Sequence, residues 1–217
     1  MRIFLDTANI EEIKQAAKLG VISGITTNPS LISQAKATNY EAAIKEICAI
    51  INPGPVSTEV VVEGVAAMLK QARQIATWAP NIVIKIPSTT EGLEVTSKLT
   101  KEGIKVNFTL CFSVNQALLA AEAGATYVSP FVGRLDDIGQ DGMLLVEDIV
   151  KIYKYYGIKT EVIAASIRHP EHCVRAAKIG AHIATLPYKV LLQMIQHPLT
   201  DIGNKRFLAD FKNVSKQ

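Results

Sequence analysis

The chain has few cysteines, and their arrangement argues against disulfide bonds and metal sites. Three cysteines occur in 217 residues, at Cys48, Cys111 and Cys173, and all are widely spaced in apolar surroundings. An odd number at this spacing favours reduced thiols, and therefore a cytoplasmic protein. Because the sequence contains no CxxC or HExxH pattern, we expect no metal site and no metal cofactor.

Long apolar runs and blocks of like charge are also absent. No run of about 18 apolar residues exists, so we expect no transmembrane helix and no membrane partner. An acidic residue, Asp6, follows the first apolar residues too closely for a secretory signal. The 23 basic and 20 acidic residues are well mixed and give a net charge of +3. This pattern predicts no nucleic-acid partner and is compatible with a small anionic substrate.

Short apolar runs alternate with longer amphipathic segments along the whole chain. Eight such pairs, spaced about 25 residues apart, predict a parallel sheet that closes into a (β/α)8 TIM barrel, an α/β fold. The predicted strands are 3–6, 21–27, 56–62, 81–87, 104–110, 125–130, 159–164 and 181–186. We expect one barrel domain over residues 1–217. Residues from about 197 to 217 form an extra helical extension with apolar positions, suited to a barrel face or a subunit interface.

Helix starts are predicted from residues with the spacing of a capping box. Such pairs are Asn9 with Glu12, Thr38 with Glu41, and Ser88 with Glu91. The predicted helices are 9–19, 38–51, 64–77, 88–101, 113–123, a loop followed by a helix within 136–156, then 169–179 and 187–195.

The most unusual strand is the fourth, because it carries Lys85 among β-branched apolar residues. A continuous apolar run is typical of a parallel strand covered on both faces. Burial disfavours the ammonium form, and the neutral amine is the nucleophile that forms a Schiff base with a carbonyl. A structural lysine paired with a buried carboxylate, or one that reaches solvent at the strand end, is the alternative.

Polar side chains recur at the carboxyl ends of the predicted strands, where TIM barrels carry their active sites. Each of these side chains has a structural alternative. Asp6 could cap a helix, Glu59 could form a buried ion pair, and the hydroxyl and amide residues could lie in turns and caps. The arginines could form surface ion pairs, such as Arg168 with Glu171, and Phe131 could serve only in packing. Together, one amine, two carboxylates and two arginines suit Schiff-base chemistry on a hydroxylated phosphate ester. The residues are Asp6, Thr26, Asn28, Glu59, Lys85, Asn107, Thr109, Ser129, Phe131, Arg134, Ser166, Arg168 and Thr185.

Five motifs at these strand ends make the chain resemble the transaldolase family, in the small branch that also contains fructose-6-phosphate aldolases. They are Phe4-Leu5-Asp6-Thr7-Ala8, Gly24-Ile25-Thr26-Thr27-Asn28-Pro29-Ser30, Val83-Ile84-Lys85-Ile86-Pro87, Asn107-Phe108-Thr109-Leu110 and Val128-Ser129-Pro130-Phe131-Val132-Gly133-Arg134. The resemblance covers essentially the whole chain and implies a class I aldolase barrel with no cofactor. It also implies a homo-oligomer built from five-membered rings, often two rings stacked as a decamer.

The resemblance implies a role for each matched residue. Lys85 forms the Schiff base, Asp6 takes the C4 hydroxyl proton, and Glu59 moves protons through a water held with Thr109. The remaining residues bind substrate: Asn28, Asn107, Ser129 and Ser166 hold the dihydroxyacetone unit, and Arg134 and Arg168 bind phosphate.

Two reactions occur in this branch, and Glu59 and Phe131 bear on the choice. The aldolases carry Gln and Tyr at these positions, so the pattern here is of the transaldolase type. We therefore expect a transaldolase acting on sugar phosphates, with fructose-6-phosphate aldolase as the alternative. A non-catalytic sugar-phosphate-binding barrel does not need a buried amine. An isomerase barrel would carry a Gly-rich phosphate loop, but the segment 164–168 has none.

Overall fold

The computed structural model describes residues 1–35 and 39–214, with side chains as far as residue 212. Eight parallel strands pair in chain order and close on themselves, which confirms the predicted (β/α)8 barrel. The strands are β1 Arg2–Asp6, β2 Gly24–Thr26, β3 Val56–Glu59, β4 Ile82–Pro87, β5 Val106–Cys111, β6 Tyr127–Pro130, β7 Glu161–Ala164 and β8 Ile183–Leu186. Strands β2 and β3 are shorter than predicted, and only two residue pairs join them.

The side chains of each strand alternate between two environments, as the pleat of a β-strand requires. In β4, Ile82, Ile84 and Ile86 point outward into the large core formed with the helices. Val83 points inward, and it belongs to a separate buried cluster with Phe4, Tyr127, Ile163 and Ile183. This cluster fills the barrel interior. Two residues further along β1, β4, β6 and β8, the inward side chains become polar: Asp6, Lys85, Ser129 and Thr185.

Helices follow the strands and cover the outside of the barrel. They are α1 Ile10–Lys18, α2 Pro29–Gln34, α3 Tyr40–Ile51, α4 Val65–Ala76, α5 Thr90–Lys101, α6 Val114–Glu122, α7 Val132–Asp136, α8 Gly142–Tyr156, α9 Pro170–Ile179, α10 Tyr188–Ile195 and α11 Pro198–Val214. The short helices α2 and α7 were not predicted. The last helix, α11, lies where the helical extension was expected.

Two of the predicted helix starts need correction. The predicted cap Thr38 lies outside the described residues, and α3 is capped by Asn39, whose side chain accepts a hydrogen bond from the Ala42 amide. Helix α5 is capped by Thr89 and not by Ser88, because the Ser88 hydroxyl instead donates to the Thr109 carbonyl. Asn9 caps α1 as predicted.

The remaining sequence expectations concern cysteines, metals and membranes. All three cysteines are buried and free, and burial raises the pKa of each thiol to about 11. Within the described residues, no group of three or more His, Cys, Asp or Glu side chains is placed to hold a metal ion. In the same part of the chain, no helix is long and apolar enough to cross a membrane.

Candidate active site

A cavity of about 180 Å³ opens at the carboxyl ends of the strands. Most of the residues singled out in the sequence line it, including the lysine and one of the two acids. The lining residues are Asp6, Thr26, Asn28, Lys85, Thr109, Ser129, Phe131, Arg134, Ala165, Ser166, Arg168 and Thr185. Of the predicted residues, only Glu59 and Asn107 lie behind this wall. The topology of the barrel therefore brings together side chains that are up to 179 positions apart in the sequence.

Lys85 is 4% exposed and is fixed by two oxygen atoms. Its Nζ donates a hydrogen bond to the Thr27 carbonyl at 2.9 Å and lies 3.3 Å from Glu59 Oε2. Glu59 and Lys85 are direct neighbours in the register of β3 and β4, so both side chains point into the barrel. The pairing with a carboxylate that was foreseen as an alternative is therefore present, but the lysine also faces the cavity. An amine beside a carboxylate can exchange a proton with it before attacking a carbonyl carbon.

Asp6 is the last residue of β1, and it also lines the cavity. Its Oδ1 accepts a 2.6 Å hydrogen bond from the Thr26 hydroxyl, and the Thr26 oxygen also lies 2.6 Å from that of Thr185. Burial raises the pKa of Asp6, whereas the Lys85 charge and the Thr26 hydrogen bond lower it. The capping alternative for Asp6 is wrong, since Asn9 caps α1. Asp6 is thus a carboxyl group able to hold a proton more readily than an exposed aspartate.

A line of polar side chains connects the wall to the barrel interior. Asn107 is fully buried; its Nδ2 donates to Ser57 Oγ at 3.2 Å, and its Oδ1 accepts from the Ser129 hydroxyl at 2.7 Å. The buried Thr109 hydroxyl has no hydrogen-bond partner within residues 1–35 and 39–214. Thr109 belongs to the cavity wall, so this unpaired hydroxyl lies next to the space that a substrate would occupy.

Phe131 and Arg134 form one side of the cavity mouth. The Phe131 ring packs edge-on against Phe112 at 5.7 Å, and the Arg134 guanidinium lies 5.5 Å from the Phe131 ring centre. Among the described residues, Arg134 forms no ion pair. Packing, foreseen as the structural alternative for Phe131, is thus present, and the ring also faces the cavity.

Arg168 and Ser166 form the other side of the mouth, on the loop after β7. Ser166 has a φ of 58°, a left-handed conformation that is uncommon for a residue with a side chain and that occurs at functional sites. The Arg168 guanidinium donates to Asp137 Oδ2 at 2.6 Å, so its partner is not Glu171, the alternative considered from sequence.

Asn28 has a structural role in addition to its place on the cavity wall. Its side-chain carbonyl accepts from the Leu31 amide at 3.0 Å and caps α2. One contributor was missing from the predicted site: the Thr27 backbone carbonyl that holds Lys85, which carries no side-chain signal. Thr185 was among the polar residues expected at the strand ends but was assigned no role, and it lines the cavity beside Thr26.

A closed (β/α)8 barrel with a buried lysine beside a carboxylate at the carboxyl ends of its strands is typical of lysine-dependent barrel enzymes. The family model described as transaldolase/fructose-6-phosphate aldolase matches residues 3–217. A probable transaldolase of Dehalococcoides mccartyi is 65% identical over 216 residues, covering 100% of both chains. One from Thermoanaerobacter sp. is 58% identical, covering 98% of this chain and 97% of its own. The chain belongs to the transaldolase/fructose-6-phosphate aldolase family.

Proposed function

We propose that this protein is a transaldolase that transfers a dihydroxyacetone unit between sugar phosphates. In the proposed reaction of the non-oxidative pentose phosphate pathway, sedoheptulose 7-phosphate and glyceraldehyde 3-phosphate are exchanged with erythrose 4-phosphate and fructose 6-phosphate. The observation that carries the proposal is the buried Lys85 amine, which faces the cavity with its Nζ 3.3 Å from Glu59. The printed names of the relatives agree with it, and reduced, buried thiols suit a cytoplasmic location.

The proposed chemistry begins with the lysine and its carboxylate partner. Glu59, acting through a water held with Thr109, takes a proton from Lys85, and the neutral amine attacks the C2 carbonyl of the ketose phosphate. Glu59 returns the proton as the C2 hydroxyl leaves as water, which gives a cationic imine. The positive charge on this imine draws electrons from the C3–C4 bond.

Asp6 completes the transfer by moving a second proton. Its carboxylate takes the proton of the C4 hydroxyl as the C3–C4 bond breaks, so an aldose phosphate leaves and an enamine stays on Lys85. The enamine C3 then attacks the aldehyde carbon of the acceptor, and the new C4 oxygen takes the proton back from Asp6. Addition of water at C2 of the cationic imine releases the new ketose phosphate and returns Lys85 to the ammonium form in which the cycle began.

The remaining side chains are proposed to bind substrate. Thr26 orients Asp6 through its 2.6 Å hydrogen bond. The hydroxyl and amide groups hold the three-carbon unit, and the two arginines at the mouth bind phosphate by charge-assisted hydrogen bonds. The substrate-binding residues are Thr26, Asn28, Asn107, Ser129, Phe131, Arg134, Ser166 and Arg168.

Transfer to an aldose, and not release of free dihydroxyacetone, is favoured by two side chains. Phe131 has no hydroxyl with which to place a hydrolytic water at the cavity mouth, and its ring is held by Phe112 and Arg134. Glu59 is a carboxylate within 3.3 Å of the reacting nitrogen, and a carboxylate is a stronger base than an amide.

The proposal is tested by the release of glyceraldehyde 3-phosphate from fructose 6-phosphate, with and without erythrose 4-phosphate. A transaldolase needs the acceptor for sustained release; equal release without it identifies a fructose-6-phosphate aldolase. The control is Lys85→Ala, which should abolish both release and borohydride trapping of the ketose phosphate. Persistent trapping on this variant would mean that another residue is the nucleophile, and no trapping on the unmodified protein would favour a barrel that only binds.

A further inference from the structure

The two arginines at the cavity mouth belong to different segments of the chain, which a parallel backbone bridge between Phe131 and Ala165 brings side by side. Arg134 lies on α7, whereas Arg168 lies on the loop after β7. The backbone amides of Val132 and Gly133 donate to the carbonyls of Ala165 (2.9 Å) and Ser166 (3.0 Å). The Arg168 side chain lies directly on Gly133, where an added Cβ would come within 2.6 Å of Nε. The relative position of the two guanidinium groups therefore depends on how α7 and this loop are held together.

The side chain of His172, on α9, contacts both segments. Its side chain is buried, its Nδ1 accepts a hydrogen bond from the Arg168 amide at 3.3 Å, and its Nε2 lies 3.1 Å from Asp136 Oδ2 at the end of α7. Since Nδ1 accepts, the proton of the neutral ring is on Nε2. Asp136 Oδ2 has no hydrogen-bond partner within residues 1–35 and 39–214, so its contact with His172 is a close electrostatic approach and not a hydrogen bond. The other Asp136 oxygen accepts from the Gly142 amide at 3.0 Å, where α8 begins.

We propose that His172 and Asp136 are positioning residues for anion binding, which hold α7 and the loop after β7 so that Arg134 and Arg168 face one phosphate group. The identity of the anion as a sugar phosphate rests on the proposed function. His172 does not line the cavity, so it acts only through the Arg168 backbone and Asp136. A second, independent link exists at the surface, where Asp137 holds the Arg168 guanidinium, but an exposed pair of this kind contributes little stability.

The charges around His172 make the link sensitive to pH. Burial lowers the pKa of His172 below its ordinary 6.5; His169, Arg175 and Arg168 lower it further, while Asp136 raises it. A protonated ring would turn a second N–H toward the amide of Arg168 and break that hydrogen bond. Because the folded-state pKa is lowered, the link is complete above about pH 6.5 and is lost as the pH falls through the lower value. The charged and titratable groups on the surrounding elements are Asp136, Asp137, Asp141, Arg168, His169, Glu171 and Arg175.

The test uses inorganic sulfate as the probe, because sulfate remains a dianion over the pH range studied and does not react with Lys85. Calorimetric titration should show that His172→Ala weakens sulfate binding about tenfold, the effect of losing one buried hydrogen bond. His172→Asn keeps an acceptor near the Nδ1 position and should recover part of the affinity. The matched control is His182→Ala: His182 Nδ1 also accepts a backbone N–H, from Val162 at 3.1 Å, but at the amino end of the barrel.

The pH profile gives a readout that a general loss of stability would not reproduce. Sulfate binding to the unmodified protein should weaken on acidification from about pH 7.5 to 5.5. The profile of His172→Asn should be flatter, because the variant lacks the His172 imidazole. It should not be entirely flat, because the other histidines remain. Unchanged affinity in the His172 variants, equal weakening in His182→Ala, or no sulfate binding by the unmodified protein would each overturn the proposal.

Borohydride trapping of unphosphorylated dihydroxyacetone is measured in parallel. Loss of trapping in every protein would refute the Lys85 chemistry and leave the sulfate comparison to decide the role of His172.

Discussion

Asp6 is subject to two opposing influences, and their balance sets the pH at which it can act as a base. Burial raises its pKa from the ordinary 3.8, while the Lys85 charge and the Thr26 hydrogen bond lower it. In the proposed reaction the carboxylate form takes the C4 hydroxyl proton, so the rate of cleavage is lost as the pH falls through this raised pKa. Any change that removes a stabilising partner of the carboxylate should move that loss to higher pH.

Replacing Thr26 by Val tests this balance at nearly constant side-chain volume. The variant loses the hydroxyl that donates to Asp6 at 2.6 Å, so we expect the acid limb of the pH profile of kcat/KM to move upward. On the plateau, activity should fall by less than about tenfold, the effect of one hydrogen bond. The control is Thr185→Val, which removes the neighbour of Thr26 but keeps the bond to Asp6. Acid limbs that coincide in both variants and the unmodified protein would show that Thr26 does not tune Asp6.

The alternation of side chains along each strand explains why so much of the site could be predicted from sequence. Inward positions change from apolar to polar within two residues, as from Phe4 to Asp6 and from Val83 to Lys85. A barrel places all such positions on one rim, so knowing the strand ends was nearly sufficient to assemble the wall of the cavity. The closed barrel itself followed from eight repeats of one βα pattern.

Other features depended on information that a local pattern does not carry. Helices α2 and α7 have only six and five residues, too few for a helical period to be visible. The contact between Glu59 and Lys85 depends on the register of β3 and β4, and register is set by the whole barrel. Ser88 was predicted as a cap from its type and spacing, but its hydroxyl donates to the Thr109 carbonyl, and Thr89 caps α5 instead. His172 lies inside an ordinary amphipathic helix, so its link to Arg168 has no sequence signal.

Gly133 in α7 provides a test of how closely α7 must approach the loop after β7. An added Cβ would lie 2.3 Å from the Ser166 carbonyl oxygen and 2.6 Å from Arg168 Nε, so Gly133→Ala should push the loop away. Overpacking of this kind costs about 1–3 kcal/mol. We expect the KM for fructose 6-phosphate to rise about tenfold or more, with little change in trapping of unphosphorylated dihydroxyacetone.

The matched control for this glycine is Gly54→Ala at the amino end of the barrel. A Cβ there would lie 2.6 Å from the Ser23 carbonyl oxygen, so the variant meets a similar backbone clash away from the cavity. It should lower the melting temperature without raising the KM selectively. If both variants change the KM equally, the effect comes from general destabilisation and not from the position of Arg168.

The outermost helix, α11, is unlike the helices that cover the barrel. Its apolar side chains Leu199, Ile202, Phe207 and Leu208 are all more than half exposed, and in a monomer they would remain in water. A helix of 17 residues with large exposed apolar groups is typical of a surface that packs on another chain. We propose that the chain is a single barrel domain whose segment 197–217 contacts a neighbouring subunit, in a decamer of two five-membered rings.

Removing the chain after about Thr200 tests this assembly directly. Because the truncation leaves the barrel strands intact, the folded protein should persist while its mass by light scattering falls to that of smaller species. Phe207→Asp should weaken the assembly in the same direction, because it places a charge in the proposed apolar contact. The matched control is Tyr155→Asp, which changes an aromatic residue that is 82% exposed on α8 and should leave the mass unchanged. An unaltered mass in the truncated protein would mean that α11 is not the contact, and a mass lowered equally by Tyr155→Asp would place the interface on a broader surface that includes α8.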